Sequence, residues 1–293
     1  METIRTNQPL RGTIRRSKAQ GKSVVLVPTM GALHDGHRAC IELGRKHGDV
    51  LVVSIFVNPT QFGPGEDFES YRVTLEDDFS LCRQLGCDIV FAPQVHDMYP
   101  EEHVLWVQPG DLAEPLCGAT REGHFRGVCT VVRKLFDVVE PNVAVFGQKD
   151  AQQALVIREM VTQLGLNIDV VLCPVIREDD GLACSSRNRD LAPGERERAA
   201  GIYQGLLAGK QILAAGERDP REVCSAVRER LERDGAVEVE YIELLDTTEL
   251  RPLVRARGKV ILAVAGRVGR TRLIDNLVLR VDLDGGVVED SLF

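Results

Sequence analysis

The chain has no long apolar run: nothing in its 293 residues approaches the roughly 20 consecutive apolar positions that a membrane-crossing helix needs. That argues against a membrane partner. Positive charge is in deficit as well. With 36 Lys and Arg against 44 Asp and Glu the formal net charge is −8, which counts against a non-specific nucleic-acid binder while leaving room for a local basic pocket around phosphates. The first two dozen residues run the other way, with six Lys or Arg and one acid, but they lack the apolar centre and small-residue cleavage site of a secretory signal. A short amphipathic helix leading into the first strand is expected there instead. Cysteine is not scarce, yet its eight positions (Cys40, Cys82, Cys87, Cys117, Cys129, Cys173, Cys184 and Cys224) contain no CxxC spacing. Most sit among apolar neighbours, where a free thiol behaves as a small hydrophobe, so reduced thiols, a cytoplasmic setting and no catalytic cysteine are expected. Internal repeats and low-complexity segments are lacking too. What remains is 44% hydrophobic and 27% charged, ordinary for a folded chain, with length for one large or two modest domains.

Apolar runs alternate with helical patterns from Ser23 onward. Ser23 to Val27 reads as a strand stopped by Pro28, and Val50 to Val57 as a strand buried on both faces, ended by Asn58-Pro59. Thr74-Leu75-Glu76-Asp77 reads as a capping box opening a helix, and Asp88 to Pro93 as the next strand. A helix over Val128 to Val139, a strand over Val143 to Gly147, a helix from about Asp150 to Leu164 and a strand over Ile168 to Pro174 complete an α/β rhythm. That rhythm predicts an open, mostly parallel sheet covered by helices, with ligands beyond the carboxyl ends of the strands. The functional loops then begin at Pro28, Asn58, Gly147 and Pro174. After about Arg177 the character changes to charged helices over Pro193 to Gly216 and Pro220 to Gly235, then strands over Val237 to Leu245 and Gly258 to Ala265. A smaller α+β domain over residues 178–293 is expected to follow a first domain over 1–177, with the polar stretch Ile176 to Gly181 as a hinge.

The most telling motif is His34-Asp35-Gly36-His37, placed where a helix should start just after the first long strand. A helix start carries unpaired N–H groups and the positive end of the dipole, so it attracts phosphate, and two imidazoles three residues apart add donors on one face. Paired histidines can also hold zinc, but no Glu stands between them and no third ligand lies nearby in sequence. A second constellation, Gly147-Gln148-Lys149-Asp150-Ala151-Gln152-Gln153, repeats the pattern of strand end, glycine and helix start. Lys149 suits phosphate oxygens, Asp150 suits an N-cap, and the Gln153 amide can reach a substrate. Cys184-Ser185-Ser186-Arg187-Asn188 offers hydroxyls, amides and a guanidinium to phosphate, and Gln61 sets an amide after the second long strand. The glycine-rich, basic stretch Gly118 to Gly127 suits a mobile flap over an anionic substrate.

Pro28 to His37, Phe56 to Phe62, Gly123 to Val128, Phe146 to Asp150 and Ser185 to Asn188 together resemble the pantoate–β-alanine ligases, the pantothenate synthetase family, in order from about Ile4 to near Leu279. Several long motifs in sequence are far more specific than any one of them. The resemblance implies a HIGH-type nucleotidyltransferase with a Rossmann-like N-terminal domain, a small C-terminal domain and a homodimer. It implies ATP contacts from Met30, Gly31, Ala32, Leu33, His34, Asp35, Gly36 and His37, with His37 as the proton donor and His34 as its phosphate-binding companion. Gly147, Gln148, Lys149, Asp150, Ile176, Cys184, Ser185, Ser186 and Arg187 match further nucleotide contacts. Gln61 and Gln153 match pantoate-binding positions, Gln61 also being implicated for β-alanine. Charge stabilisation is expected from His37, His34, Lys149, Ser185, Ser186 and Arg187, and the Mg²⁺ that accompanies ATP is expected on phosphates and water, with Asp78 or Asp150 as helpers. No protein residue is expected as a permanent metal ligand. Three positions depart from the family pattern: Ala151 for an aromatic residue, Cys184 for Met or Leu, and Gln148 for Glu. Ala151 is expected to loosen packing near pantoate and Cys184 to alter the adenine pocket. None removes a charged catalytic group. Two rival readings remain at this stage, a different nucleotidyltransferase of the same superfamily and a catalytically silent nucleotide-binding protein on the same fold.

Overall fold

A computed structural model describes the whole chain except residue 72 and residues 101–104, 234–236 and 283–285. Two compact units emerge, one of Met1–Gly147 with Gln152–Cys173, the other of Gln148–Ala151 with Pro174–Phe293.

The first unit is built on strands β1 (Glu2–Ile4), β2 (Val24–Thr29), β3 (Val50–Ile55), β4 (Ile89–Phe91), β5 (Val143–Gly147) and β6 (Asp169–Cys173). Every pairing is parallel and the spatial order is β1-β4-β3-β2-β5-β6. Interleaved are helices α1 (Asn7–Ala19), α2 (Asp35–Arg45), α3 (Leu75–Gln84), α4 (Val95–Met98), α5 (Cys117–Thr120), α6 (His124–Val139) and α7 (Ala151–Gln163). The long apolar run from Val50 is a buried strand, as the sequence indicated: every residue of β3 is buried. Sequence order reverses between β2 and β5, the switch point at which open α/β sheets place ligands. There the β2–β5 ladder covers only Val25↔Val143 and Leu26↔Ala144, so the two strands part before their carboxyl ends.

Three expectations need correction in this unit. The segment before the first long strand does hold the helix α1, but it also holds a strand, β1, whose Ile4 packs into the core. Pro28 does not stop β2, which runs on to Thr29 in register with Ile55. The Thr29 carbonyl accepts from the Phe56 N–H, so the backbone nitrogen of Pro28 points the opposite way, where the β5 ladder has already ended and no N–H is missed. Thr74 is the N-cap residue of α3, but its hydroxyl donates to Asp78 (3.1 Å) rather than accepting a helix N–H, so no capping box forms.

The second unit pairs helices α8 (Pro193–Ala199), α9 (Gly201–Ala214) and α10 (Pro220–Glu232) with an antiparallel sheet ordered β10-β9-β8-β7. Its strands are β7 (Glu238–Asp246), β8 (Gly258–Val268), β9 (Thr271–Val281) and β10 (Val287–Glu289). Ile202, Leu206, Leu213, Val223, Val227 and Leu231 of the helices meet Val260, Leu262, Val264 and Leu279 of the sheet in one apolar core. The expected α+β character holds. The single helix expected over Pro193 to Gly216 divides at Ala200, and two strands went unforeseen, β9 and β10. β8 and β9 form a long hairpin closed by a two-residue turn, Gly269-Arg270, with Val268 opposite Thr271. The expected hinge stretch is folded back on itself by an Arg177↔Ala183 bridge. All eight cysteines are free thiols, seven of them buried and Cys224 half-buried. No helix among the described residues is long and apolar enough to cross a membrane.

Candidate active site

In the first unit, the loop leaving β2 turns through two consecutive left-handed residues, Gly31 (φ 81°) and Ala32 (φ 49°), before α2 begins. A Cβ on Gly31 would stand 3.0 Å from both the Asp78 Oδ2 and the Ile55 Cγ2, so glycine is required there for space as well as conformation. The helix then opens on a reciprocal cap made by the two histidines. His34 Nδ1 accepts the Gly36 N–H (3.1 Å) and His37 Nδ1 accepts the His34 N–H (3.3 Å). Both Nδ1 atoms are therefore acceptors, which leaves the proton of each neutral ring on Nε2. The ring centroids lie 4.0 Å apart. The motif thus yields two imidazole N–H donors of fixed tautomer at the positive end of a helix, the arrangement an oxyanion of phosphate needs.

Gln61 sits on a short 3₁₀ turn, Pro59–Gln61, that follows β3. Its amide is buried, with Nε2 3.2 Å from the Met30 Sδ and Oε1 accepting from the Asn58 Nδ2 at 3.0 Å. The structure therefore brings Gln61 to the β2 loop. Asn58 is the hub that sequence reasoning missed. Its Oδ1 accepts from the hydroxyls of Tyr99 (2.8 Å) and Thr60 (2.9 Å) while its Nδ2 also reaches the Gly127 carbonyl (3.2 Å). Asn-Pro after a strand is a local signal for such a cap.

The glycine-rich stretch expected as a flap is instead clamped. Arg121 makes a two-pronged pair with Glu66, both contacts at 2.7 Å, and donates to the Gln61 carbonyl at 3.4 Å. His124 is buried, and since a carbonyl can only accept, its Nδ1 donates to the Gln61 carbonyl at 2.8 Å. Partial burial pushes the Glu66 carboxyl up, but the Arg121 hydrogen bonds and charge outweigh it and hold the group below its ordinary value. The fold thus anchors the Gln61 turn from the side where mobility was expected. Gln153 lies half-buried on α7, whereas its neighbour Gln152 is wholly structural, tying down Leu112, Pro115 and Cys117 through three hydrogen bonds. Asp78, expected to help with a metal ion, has both oxygens committed to the Ala32 and Leu33 N–H groups.

In the second unit, Lys149 stands in the turn directly after β5, its ammonium 3.8 Å from the half-exposed Asp150 carboxylate. The turn is held by Asn276 of β9, whose Nδ2 donates to the carbonyls of Gln148 and Lys149, each at 3.0 Å. Asn276 is buried, and beside it Asp275 forms a two-pronged pair with Arg177 (2.6 and 3.1 Å). Burial pushes the Asp275 carboxyl up, while the Arg177 guanidinium and the Asn276 N–H pull against it. Arg177 also lies 3.8 Å over the Tyr203 ring. Nothing in the local sequence pointed to Asn276, because 127 residues separate it from Lys149. Gln148 uses its side-chain oxygen to accept the Leu292 N–H (3.2 Å), and Ala151 is buried. Cys184 and Ile176 are brought together by a backbone hydrogen bond of 2.9 Å. The Ser185 hydroxyl accepts the Arg187 N–H (3.3 Å) and so caps the 3₁₀ turn Ser186–Asp190 that presents Arg187.

Among the described residues, no group of three His, Cys, Asp or Glu side chains converges as a metal site. The family model described as pantoate-beta-alanine ligase matches residues 2–278. The pantothenate synthetase of Acetivibrio thermocellus is 43% identical over 281 residues, covering 96% of this chain and 100% of that protein. The crystal structure of pantothenate synthetase from Thermus thermophilus superposes with a TM-score of 0.90 at 43% identity, covering 94% of this chain and 99% of that one. A pantoate-beta-alanine ligase structure from Francisella tularensis, complexed with beta-gamma ATP and beta-alanine, matches with a TM-score of 0.79 at 32% identity over 95% of this chain and 97% of that one.

Proposed function

The chain belongs to the pantoate-beta-alanine ligase family, and from that premise we infer how its own residues carry the family's reaction. It is an ATP-dependent ligase that joins pantoate to β-alanine through an adenylate. A pantoate carboxylate oxygen attacks the α-phosphorus of ATP, and the bond to pyrophosphate breaks. The β-alanine nitrogen then attacks the acyl carbon, AMP leaves with the bonding electron pair, and the amine proton passes to solvent. No protein nucleophile is needed, so the burden is positioning and stabilisation of phosphate charge.

The paired Nε2–H donors of His34 and His37 at the start of α2 carry this assignment. We assign His37 and His34 to donate to phosphate oxygens, with His37 as the proton donor, and Lys149 and Arg187 to neutralise the charge that develops on the triphosphate. Met30 to His37, Gly147 to Asp150, Ile176 and Cys184 to Arg187 line the nucleotide. Gln61, fixed by Asn58 and Met30, and Gln153 hold pantoate. A hard divalent ion such as Mg²⁺, whose chemistry is to draw charge off the phosphates, takes oxygen ligands. Such an ion would be carried by the phosphates and water, and the half-exposed Asp150 carboxylate is the side chain that would help hold it, since the Asp78 oxygens are engaged by backbone N–H groups. We further assign the enzyme to the cytoplasm, as a homodimer acting on small molecules rather than on nucleic acid or membrane.

The test is isotope exchange between pyrophosphate and ATP, run with and without pantoate, followed by AMP release on addition of β-alanine. Exchange that requires pantoate and AMP that requires all three substrates are expected. Exchange without pantoate, or ATP binding with no AMP formed, would overturn the assignment. A lowered but measurable exchange rate in His37→Ala checks the histidine role.

A further inference from the structure

Asp78 is a buried carboxylate, 2% exposed, on the first turn of α3. Its partners are two backbone N–H groups and a hydroxyl: Ala32 to Oδ2 at 3.0 Å, Leu33 to Oδ1 at 2.8 Å, and the Thr74 hydroxyl to Oδ1 at 3.1 Å. A buried carboxyl group is costly unless its oxygens are hydrogen-bonded, and the described donors supply both of them. The two N–H groups it holds belong to the residues just before His34, in the left-handed turn made by Gly31 and Ala32. A non-glycine residue in that conformation persists only where its surroundings over-determine it. On one side of Gly31 stands Ile55, the last residue of β3, and on the other stands the Asp78 carboxylate, each 3.0 Å from where a Cβ would lie.

We propose that Asp78 is a positioning residue for the adenylation step: by holding the Ala32 and Leu33 N–H groups it fixes the left-handed turn from which the His34–His37 cap is launched, and so sets where the two Nε2–H donors stand. The proposal rests on the assignment of the histidines to phosphate. Two convergent N–H donors require two acceptor oxygens, which a carboxylate supplies and an amide of the same shape does not. Asp78→Asn keeps size and one acceptor but turns an NH₂ group against the second N–H. A one-ångström misplacement of a reacting group can cost about 100-fold in rate.

The experiment is a double-mutant cycle read by pantoate-dependent pyrophosphate–ATP exchange. Asp78→Asn alone should lower the exchange kcat about 10- to 100-fold with less than about a threefold change in the pantoate KM. In a His37→Ala background the same substitution should lower it less than about threefold, because one donor is gone and the other has lost the His37 Nδ1 that accepts its backbone N–H. Amide hydrogen exchange should show protection lost at Ala32 and Leu33 and kept in the β3 and β5 core. If Asp78→Asn is too unstable to assay, Thr74→Val, which removes only the hydroxyl contact, should give a smaller loss with the same non-additivity. Losses that multiply in full across the cycle, or an Asp78→Asn enzyme with wild-type exchange, would overturn the proposal. His37→Ala with wild-type exchange would instead sink the histidine assignment beneath it, and the single mutant tells the two apart.

Discussion

Gly127 offers the sharpest mechanical test of how the Gln61 turn is held. It lies in the second turn of α6 with the Pro59–Gln61 turn pressed against it. A Cβ added there would fall 2.2 Å from the Thr60 carbonyl oxygen, 2.5 Å from its carbon and 2.7 Å from the Gln61 Cα. All three are backbone atoms, so no rotamer change relieves the clash, and the turn and helix must separate by about an ångström. Overpacking of this kind costs about 1–3 kcal/mol. Loss of the Asn58 Nδ2 bond to the Gly127 carbonyl, now 3.2 Å, adds about 1 kcal/mol. Better helix propensity returns up to about 1 kcal/mol, leaving Gly127→Ala destabilised by roughly 1–3 kcal/mol. A shift of that size in Gln61 should lower kcat/KM for pantoate about 10- to 100-fold, while the KM for ATP moves less than about threefold. Steady-state kinetics against each substrate, with urea unfolding, provide the assay. Gly194→Ala in α8, where a Cβ meets nothing within 4 Å, is the control and should be neutral. A Gly127→Ala enzyme with wild-type stability and an unchanged pantoate response would refute the argument.

Three further outcomes are expected. Lys149→Ala should cost roughly 10²- to 10³-fold in turnover, by analogy with removing a donor from a developing anion, and an unchanged turnover would strike Lys149 from the catalytic group. Asn276→Ala strips the buried Gln148 carbonyl and the part-buried Lys149 carbonyl of their donor and should destabilise the fold by about 1–3 kcal/mol in urea unfolding while lowering kcat; full activity would show that the turn needs no such support. The Glu66 carboxyl is held below its ordinary 4.5 in the native state, so its contribution is complete above that value and is lost as pH falls through the lower native one. Urea midpoints of Glu66→Gln and the unsubstituted enzyme should therefore differ at pH 7 and converge on acidification, and a constant gap would contradict the pairing with Arg121.

The sheet was legible because continuous β-branched runs such as Val50 to Ile55 can be buried only on both faces. The His34–His37 helix start was legible because its chemistry is local, a strand end, a glycine and donors within ten residues. Short polar strands were not: Glu2–Ile4 has three residues and a single buried side chain, and its existence depends on β4 offering a parallel edge. Pro28 misled because a missing N–H matters only where a neighbouring strand would accept it, and the width of the β2–β5 ladder is a tertiary property. The stretch Gly118 to Gly127 misled in the other direction. Its glycines mark close approach, at Gly127 to the Thr60 backbone and at Gly118 to the Ala113 carbonyl, rather than freedom to move. Asp78 and Asn276, which hold the two most telling motifs, lie 46 and 127 residues from the backbone atoms they grip, beyond any spacing argument.

The β8–β9 hairpin ties the Lys149 turn to the bend that joins the two strands. Side chains along a strand alternate between faces, so the two-residue turn at Gly269-Arg270 decides whether Asn276 or one of its neighbours looks toward the Lys149 turn. One residue inserted at that bend, if the β9 pairing slid to absorb it, would swing Asp275 or Leu277 into the place of Asn276. The lysine would lose its mooring although no atom near it had been altered. Loop length at the tip of this hairpin is thus an inherited constraint on the Lys149 turn, and indels there should be tolerated only in pairs that restore the phase of the strand.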